Sequence, residues 1–154
     1  DTLHGLKSTS FQARLDAGVP LRPGVIEAIA ATREAGGKVA FVAGTLPANV
    51  DAILEATRLS RRDFDLVTDM SLDFPPKPAP DLYRHALSVL GLPAGEVIAV
   101  EDNPDGLRAA LAAGLRTIAF PGRYHDGSDF TGACAVQERL DLAAVPPAAS
   151  STAN

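Results

Sequence analysis

The sequence contains a single cysteine, Cys134, in 154 residues. A lone thiol excludes an internal disulfide and suits a reducing compartment, taken here as the cytoplasm. It also leaves no metal–thiolate spacing. No apolar run approaches the roughly 20 residues that a membrane-spanning helix needs, and the first residues show no charged-then-apolar signal pattern. Lysine is scarce, occurring only as Lys7, Lys38 and Lys77. None of the histidines, His4, His85 and His125, pairs with a Ser or Cys at a triad or metal spacing, and all three read as structural. Basic charge is in deficit: 14 Lys and Arg against 19 Asp and Glu give a net charge of −5. That balance argues against nucleic acid or an anionic membrane as partner. A phosphorylated small molecule stays open, because one metal ion and one lysine supply enough local positive charge.

Hydrophobic content of 46% and charged content of 21% are those of an ordinary globular domain. The chain is organised around Val97–Leu115, VIAVEDNPDGLRAALAAGL. Its apolar run Val97–Val100 reads as a strand buried on both faces. Asn103 is placed to cap the following helix, Pro104 suits the first helical position, and Gly114 ends the helix. Leu107, Ala110 and Leu111 share one helical face.

Before that stretch, Val25–Ala35 reads as an amphipathic helix and Lys38–Val42 as a strand. Pro47 opens a second helix with Val50, Ile53, Leu54 and Thr57 on one face. Arg58–Arg62 reads as a solvated basic link, Phe64–Thr68 as a strand, and Asp69–Pro78 as a proline-stiffened loop. Pro80 starts a helix whose buried face is Leu82, Ala86 and Leu90. After it come the organising unit, the strand Arg116–Phe120 and a polar loop, Pro121–Gly132. Alternation of helix and strand predicts an α/β fold: a parallel sheet with helices on both faces. Residues 23–142 are expected to form the core. Residues 1–22, with a short helix around Phe11 and Leu15, form a separate leading segment. Residues 143–154 read as a low-complexity disordered tail.

Three strand ends carry chemistry of one kind. Glu101 and Asp102 close the organising strand, at the end where open α/β sheets bind ligands. Hard carboxylate oxygens there suit Mg²⁺ and, through it, a phosphate; equally, two acids can simply favour the positive end of a helix. Ala43-Gly44-Thr45 leads into a helix N-terminus. Its N–H groups and the Thr45 hydroxyl can hold a phosphate, or Thr45 can cap the helix. Lys77, in the rigid segment PPKPAP, is either a phosphate-neutralising charge or an ordinary surface lysine. Arg123 and Tyr124 follow the last long strand and either line the same mouth or sit in a solvated loop.

Together, KPAPDLY at Lys77–Tyr83 and VEDNPDGLRAALAAGL at Val100–Leu115 resemble the haloacid dehalogenase superfamily of phosphatases and phosphomutases. LRPGV at 21–25, TLPANVDAIL at 45–54 and LRTIAFPGRYHDGSDFTGA at 115–133 are similar to its CbbY-like branch, which dephosphorylates sugar bisphosphates such as xylulose-1,5-bisphosphate. The resemblance implies a Rossmann-like core, Mg²⁺ as cofactor and a sugar phosphate or bisphosphate as substrate. It makes Lys77 the lysine that steadies the phosphoryl group and Glu101 and Asp102 the metal-binding acids. Gly44 and Thr45 fall in the phosphate pocket, and residues 1–22 become a remnant of the helical cap and its linker.

Two departures stand out. The family places Ser or Thr where Ala43 stands, and the family's first-strand nucleophile motif, Asp-x-Asp followed by Gly, occurs nowhere in the sequence. The expectation is therefore a C-terminal portion of such an enzyme. It lacks the central strand, which belongs between the strands at Lys38–Val42 and Val97–Val100, and most of the cap. Such a portion has negligible activity by itself, and its incomplete sheet invites self-association. The alternatives are a non-catalytic relative that binds a phosphometabolite or a partner, and a receiver-type signalling domain, which needs a phosphoacceptor Asp ending a middle strand, where the Asp69 region is a poor match.

Overall fold

The computed structural model describes residues 20–125 and 127–145. The leading segment, up to residue 19, and the tail from 146 onward lie outside the described residues. Between them the chain runs α1 (Val25–Glu34), β1 (Ala40–Val42), α2 (Pro47–Ala56), β2 (Leu66–Thr68), α3 (Asp81–Leu90), β3 (Ile98–Glu101), α4 (Pro104–Ala112), β4 (Arg116–Ala119) and β5 (Ala135–Val136). Single 3-10 turns occupy several of the connections.

Among the described residues all strand pairings are parallel, and they form two sheets. β1 pairs with β2, Ala40 opposite Leu66 and Val42 opposite Thr68. β3 pairs with β4, Ile98 opposite Arg116 and Glu101 opposite Ala119, and β4 with β5. Among the described residues no ladder joins β1 to β3, so the sheet is interrupted where the family likeness places a further strand. β5 was not expected from sequence; at two residues it carries no periodicity to read.

The period-two alternation of β3 and β4 sets two cores on opposite faces. Ala99 turns to one side, where Tyr83, Ala109, Ala110 and Leu115 close around it with α3 and α4. Val42 of β1 packs against the same cluster, so this core spans both sheets. Ile98 and Ile118 turn to the other side, where they meet Phe120, Leu140, Val145 and the α1 residues Val25 and Ala28. Val145 is buried. The packed chain thus runs three residues past the expected limit at 142, because Val145 still carries an apolar side chain for the core to cover.

Helix ends follow the local chemistry. The Asn103 side chain accepts from the Gly106 N–H at 2.9 Å, Pro104 takes the first helical position, and Gly114 at φ 86° ends the turn after α4. α1 has a different start. Gly24 sits at its N-cap with φ 88°, and a Cβ there would run into the Leu140 backbone. Next to it the Arg22 guanidinium lies 3.5 Å from the centre of the Phe120 ring and donates to the Phe120 and Pro121 carbonyls at 2.5 and 2.8 Å. These contacts tie the start of the core to the carboxyl end of β4.

Candidate functional site

Glu101 ends β3 on the same face as Ala99, under α3 and α4. It is 7% exposed, and a buried carboxylate needs partners. Its Oε1 accepts from Lys77 Nζ at 2.5 Å and from the Tyr83 hydroxyl. Its Oε2 rests against Gly106, in the first turn of α4, where any Cβ would collide with it. Glycine in a helix costs about 1 kcal/mol relative to alanine; here the missing side chain is what leaves room for the acid.

Lys77 reaches across the interruption in the sheet. Besides Glu101 its ammonium donates to the Val42 carbonyl at the end of β1, at 3.0 Å, and lies 4.9 Å from the centre of the Tyr83 ring. Its side chain is only 20% exposed, so it is no ordinary surface lysine. The Tyr83 hydroxyl is pushed well above the usual tyrosine value, first by burial, then by the charge of Glu101 and its hydrogen bond, then by Asp102. It therefore stays protonated and donating. Asp102 is exposed, its Oδ1 accepting from Asn103 Nδ2 at 2.9 Å.

At the carboxyl end of β1, the turn Ala43-Gly44-Thr45 is fastened to β2. The Thr68 hydroxyl donates to the Ala43 carbonyl at 2.7 Å, and the Met70 N–H donates to the Thr45 carbonyl at 2.7 Å. Asn49 Nδ2, one turn into α2, donates to Thr45 Oγ1 at 3.0 Å. With its oxygen accepting from Asn49, the Thr45 hydroxyl keeps its own proton to donate. Thr45 does not cap α2; Leu46 holds that position, without a side-chain cap. Gly44 is exposed, with Leu82 alongside. Among the described residues no hydrogen bond joins Thr45 to Lys77, Glu101 or Asp102. The structure thus brings Lys77 and Glu101 into contact, sets Asp102 next to them in sequence and open to solvent, and leaves Gly44 and Thr45 on the neighbouring strand end.

The other candidates fall away from this group. Arg61 is not merely solvated: it bridges Asp51 at 2.8 Å and Asp69 at 3.2 Å. Asp69 is held below the usual carboxylate range by its hydrogen bonds from Ser71 and then by Arg61. Buried and engaged in this way, Asp69 is a poor match for the phosphoacceptor that a receiver-type domain needs. His85 is half-buried with its ring 5.1 Å from that of Phe74. Arg123 is exposed in a 3-10 turn, and the side chain of Tyr124 lies outside what is described. A shallow hollow of about 400 Å³ runs beside the end of α2, lined by Leu54, Arg58 and Arg61 among others, and holds none of the candidate residues.

For Mg²⁺ the donor types fit. Such an ion is commonly bound through one or two carboxylates, with water and a phosphate oxygen filling the rest, and Glu101 and Asp102 are two carboxylates adjacent in sequence at the end of β3. Among the described residues no three Asp, Glu, His or Cys side chains gather as a metal site.

Sequence reading passed over three partners in this group. Tyr83 lies next to the expected buried face of Leu82, Ala86 and Leu90 and is itself buried, and nothing local shows its hydroxyl on Glu101. Gly106 looked like any helix glycine. The Val42 carbonyl has no sequence signature at all.

Comparison with known proteins agrees with the motifs. A family model described as haloacid dehalogenase-like hydrolase matches residues 9–114. The plasmid protein CbbY of Cupriavidus necator is 40% identical over 149 residues, covering 95% of this chain and 59% of that protein. Protein CbbY of Cereibacter sphaeroides is 38% identical over 134 residues, 85% of this chain and 58% of its own length. A crystal structure of a CbbY mutant from Rhodobacter sphaeroides in complex with xylulose-(1,5)bisphosphate superposes with a TM-score of 0.80. It is 36% identical and is covered over 63% of its length by 90% of this chain. The chain thus spans about three fifths of the length of these relatives.

Proposed function

We propose, for a chain that belongs to the haloacid dehalogenase-like hydrolase family, that it carries the phosphate- and metal-binding part of a CbbY-like phosphatase acting on a sugar phosphate or bisphosphate. The observation that carries this reading is the reach of Lys77 between two strand ends, 3.0 Å from the Val42 carbonyl and 2.5 Å from Glu101. A compact ammonium so held can neutralise a phosphoryl oxygen. Glu101 and Asp102 would hold Mg²⁺, which when bound polarises the phosphate and offsets its charge. Gly44 and Thr45 would bind phosphate oxygens through the turn N–H groups and the free hydroxyl proton.

A phosphoaspartyl reaction needs a carboxylate nucleophile, and no Asp-x-Asp followed by Gly occurs in these 154 residues. The chain as given is therefore expected to bind and not to turn over. The interrupted sheet supports the companion idea that β1 and β3 accept a further strand, from a second copy or another segment. A lone, exposed Cys134 suits the cytoplasm. Among the described residues no helix is long and apolar enough to cross a membrane.

Calorimetry with xylulose-1,5-bisphosphate, with and without Mg²⁺, tests the reading. The expected result is binding that Mg²⁺ strengthens, that Lys77→Ala abolishes, and that Asp102→Asn separates from the metal. Binding indifferent to Mg²⁺ and to both substitutions would overturn it. Turnover of a generic phosphate ester that Lys77→Ala abolishes would overturn the binding-only expectation.

A further inference from the structure

Glu101 has three neighbours that respond differently to an arriving anion. Lys77 is a flexible cation on a four-carbon stem. Gly106 contributes only backbone. Tyr83 is rigid, buried on α3, and its hydroxyl donates to Glu101 Oε1. A phosphate oxygen competes with Glu101 for the Lys77 ammonium. In the metal-free protein, when the ammonium turns to the phosphate, Glu101 gives up its one ion-pair partner among the described residues. A buried carboxylate abandoned in that way is strongly destabilising, and the cost would hold Lys77 back. Tyr83 removes part of that cost, because its hydroxyl remains on Oε1 whichever way the lysine turns. Its ring also lies beside the ammonium, 4.9 Å from Nζ, a distance at which the aromatic face attracts a cation.

We propose that Tyr83 is a positioning residue that releases Lys77 to a phosphate oxyanion: its hydroxyl keeps the Glu101 carboxylate satisfied while its ring flanks the moving ammonium. The proposal rests on the phosphate-binding reading given above and adds to it the residue that governs how readily the lysine becomes available.

The test uses the full chain labelled with ¹⁵N-lysine and ¹³Cζ-tyrosine and titrated with inorganic phosphate in the absence of Mg²⁺. Three lysines and two tyrosines keep the spectra simple, and Lys77→Arg and Tyr83→Phe assign the two signals. In the unaltered chain the Lys77 Nζ signal should shift and saturate, while the Tyr83 Cζ signal keeps its hydrogen-bonded position throughout. In Tyr83→Phe the phosphate concentration needed to shift Lys77 should rise about ten-fold, the loss expected for one hydrogen bond to a charged group. In the Glu101→Gln background the same substitution should change it less than about two-fold, since a neutral amide does not hold the lysine.

Equal titration of Tyr83→Phe and the unaltered chain overturns the proposal. So does an equal loss in both backgrounds, which marks a packing role. Should Tyr83→Phe fail to fold, the Tyr83 Cζ signal of the unaltered chain decides: movement in step with Lys77 overturns the proposal. If phosphate shifts Lys77 in none of these proteins, the phosphate-binding reading itself fails and takes this one with it.

Discussion

The two sheets are built to different standards. In β4 Thr117, Ile118 and Ala119 are fully buried, and β3 buries Ala99 and Glu101. In β1 no residue is buried, and in β2 only Thr68 is. The β3–β4 half is held by apolar cores on both faces. The β1–β2 half relies more on polar links: Thr68 to Ala43, Met70 to Thr45, Asp65 to the Val39 N–H and Lys77 to Val42. The buried acid thus sits on the densely packed half, and the glycine-containing turn on the half that packing constrains less. Precise placement of a charge needs a rigid seat, and regions with few buried apolar contacts are those that open most easily.

Core truncations give the largest test of this contrast. Ile118→Ala should cost about 2–5 kcal/mol, as for a fully enclosed aliphatic side chain. Phe41→Ala on β1 should cost distinctly less, although the residue is larger, because Phe41 is only partly buried; its ring meets that of Phe64 at 5.8 Å. Urea midpoints at unchanged slope measure both; equal losses would erase the distinction between the halves.

A smaller effect is expected at the edge of the lighter half. Asp69→Ala removes the cap of a 3-10 turn and one partner of Arg61, at a cost of about 1 kcal/mol at neutral pH. The folded state holds the Asp69 carboxyl below its ordinary value. Its contribution is therefore full above the ordinary carboxylate range and fades as the pH falls through the lowered value. Stability curves of the two proteins should converge on acidification; a gap that stays constant with pH would assign the loss to packing. Smallest of all, Arg108→Ala breaks a pair with Asp105 whose side chains are 64% and 55% exposed, and should shift stability by less than about 0.5 kcal/mol. A larger loss would mean that α4 depends on its surface charges rather than on Leu107 and Ala110 beneath.

Much of this arrangement is legible in the sequence where the cause is local. Asn103, Pro104 and Gly114 mark the limits of α4 because capping and turn chemistry act over a few residues. The order of strands and helices follows from periodicity. Lys77 and Glu101 stand out as candidates, and the structure adds that they touch. What escaped is non-local or too short. The Tyr83 hydroxyl meets an acid 18 positions on, Arg61 finds Asp51 and Asp69 on either side of it, β5 has two residues, and Val145 is a single apolar residue before a polar tail. No periodic signal carries a contact of that kind.

The place of Gly106 against Glu101 bears on how such a chain can change over time. The two positions are sterically linked: a Cβ at 106 would overlap the Glu101 carboxylate, so the acid must shift to admit one. A chain that acquired a methyl group at 106 would have to move the Glu101 carboxylate aside to make room for it. Exhaustive substitution at 106 would then be read as a map of how much room the neighbouring acid can surrender.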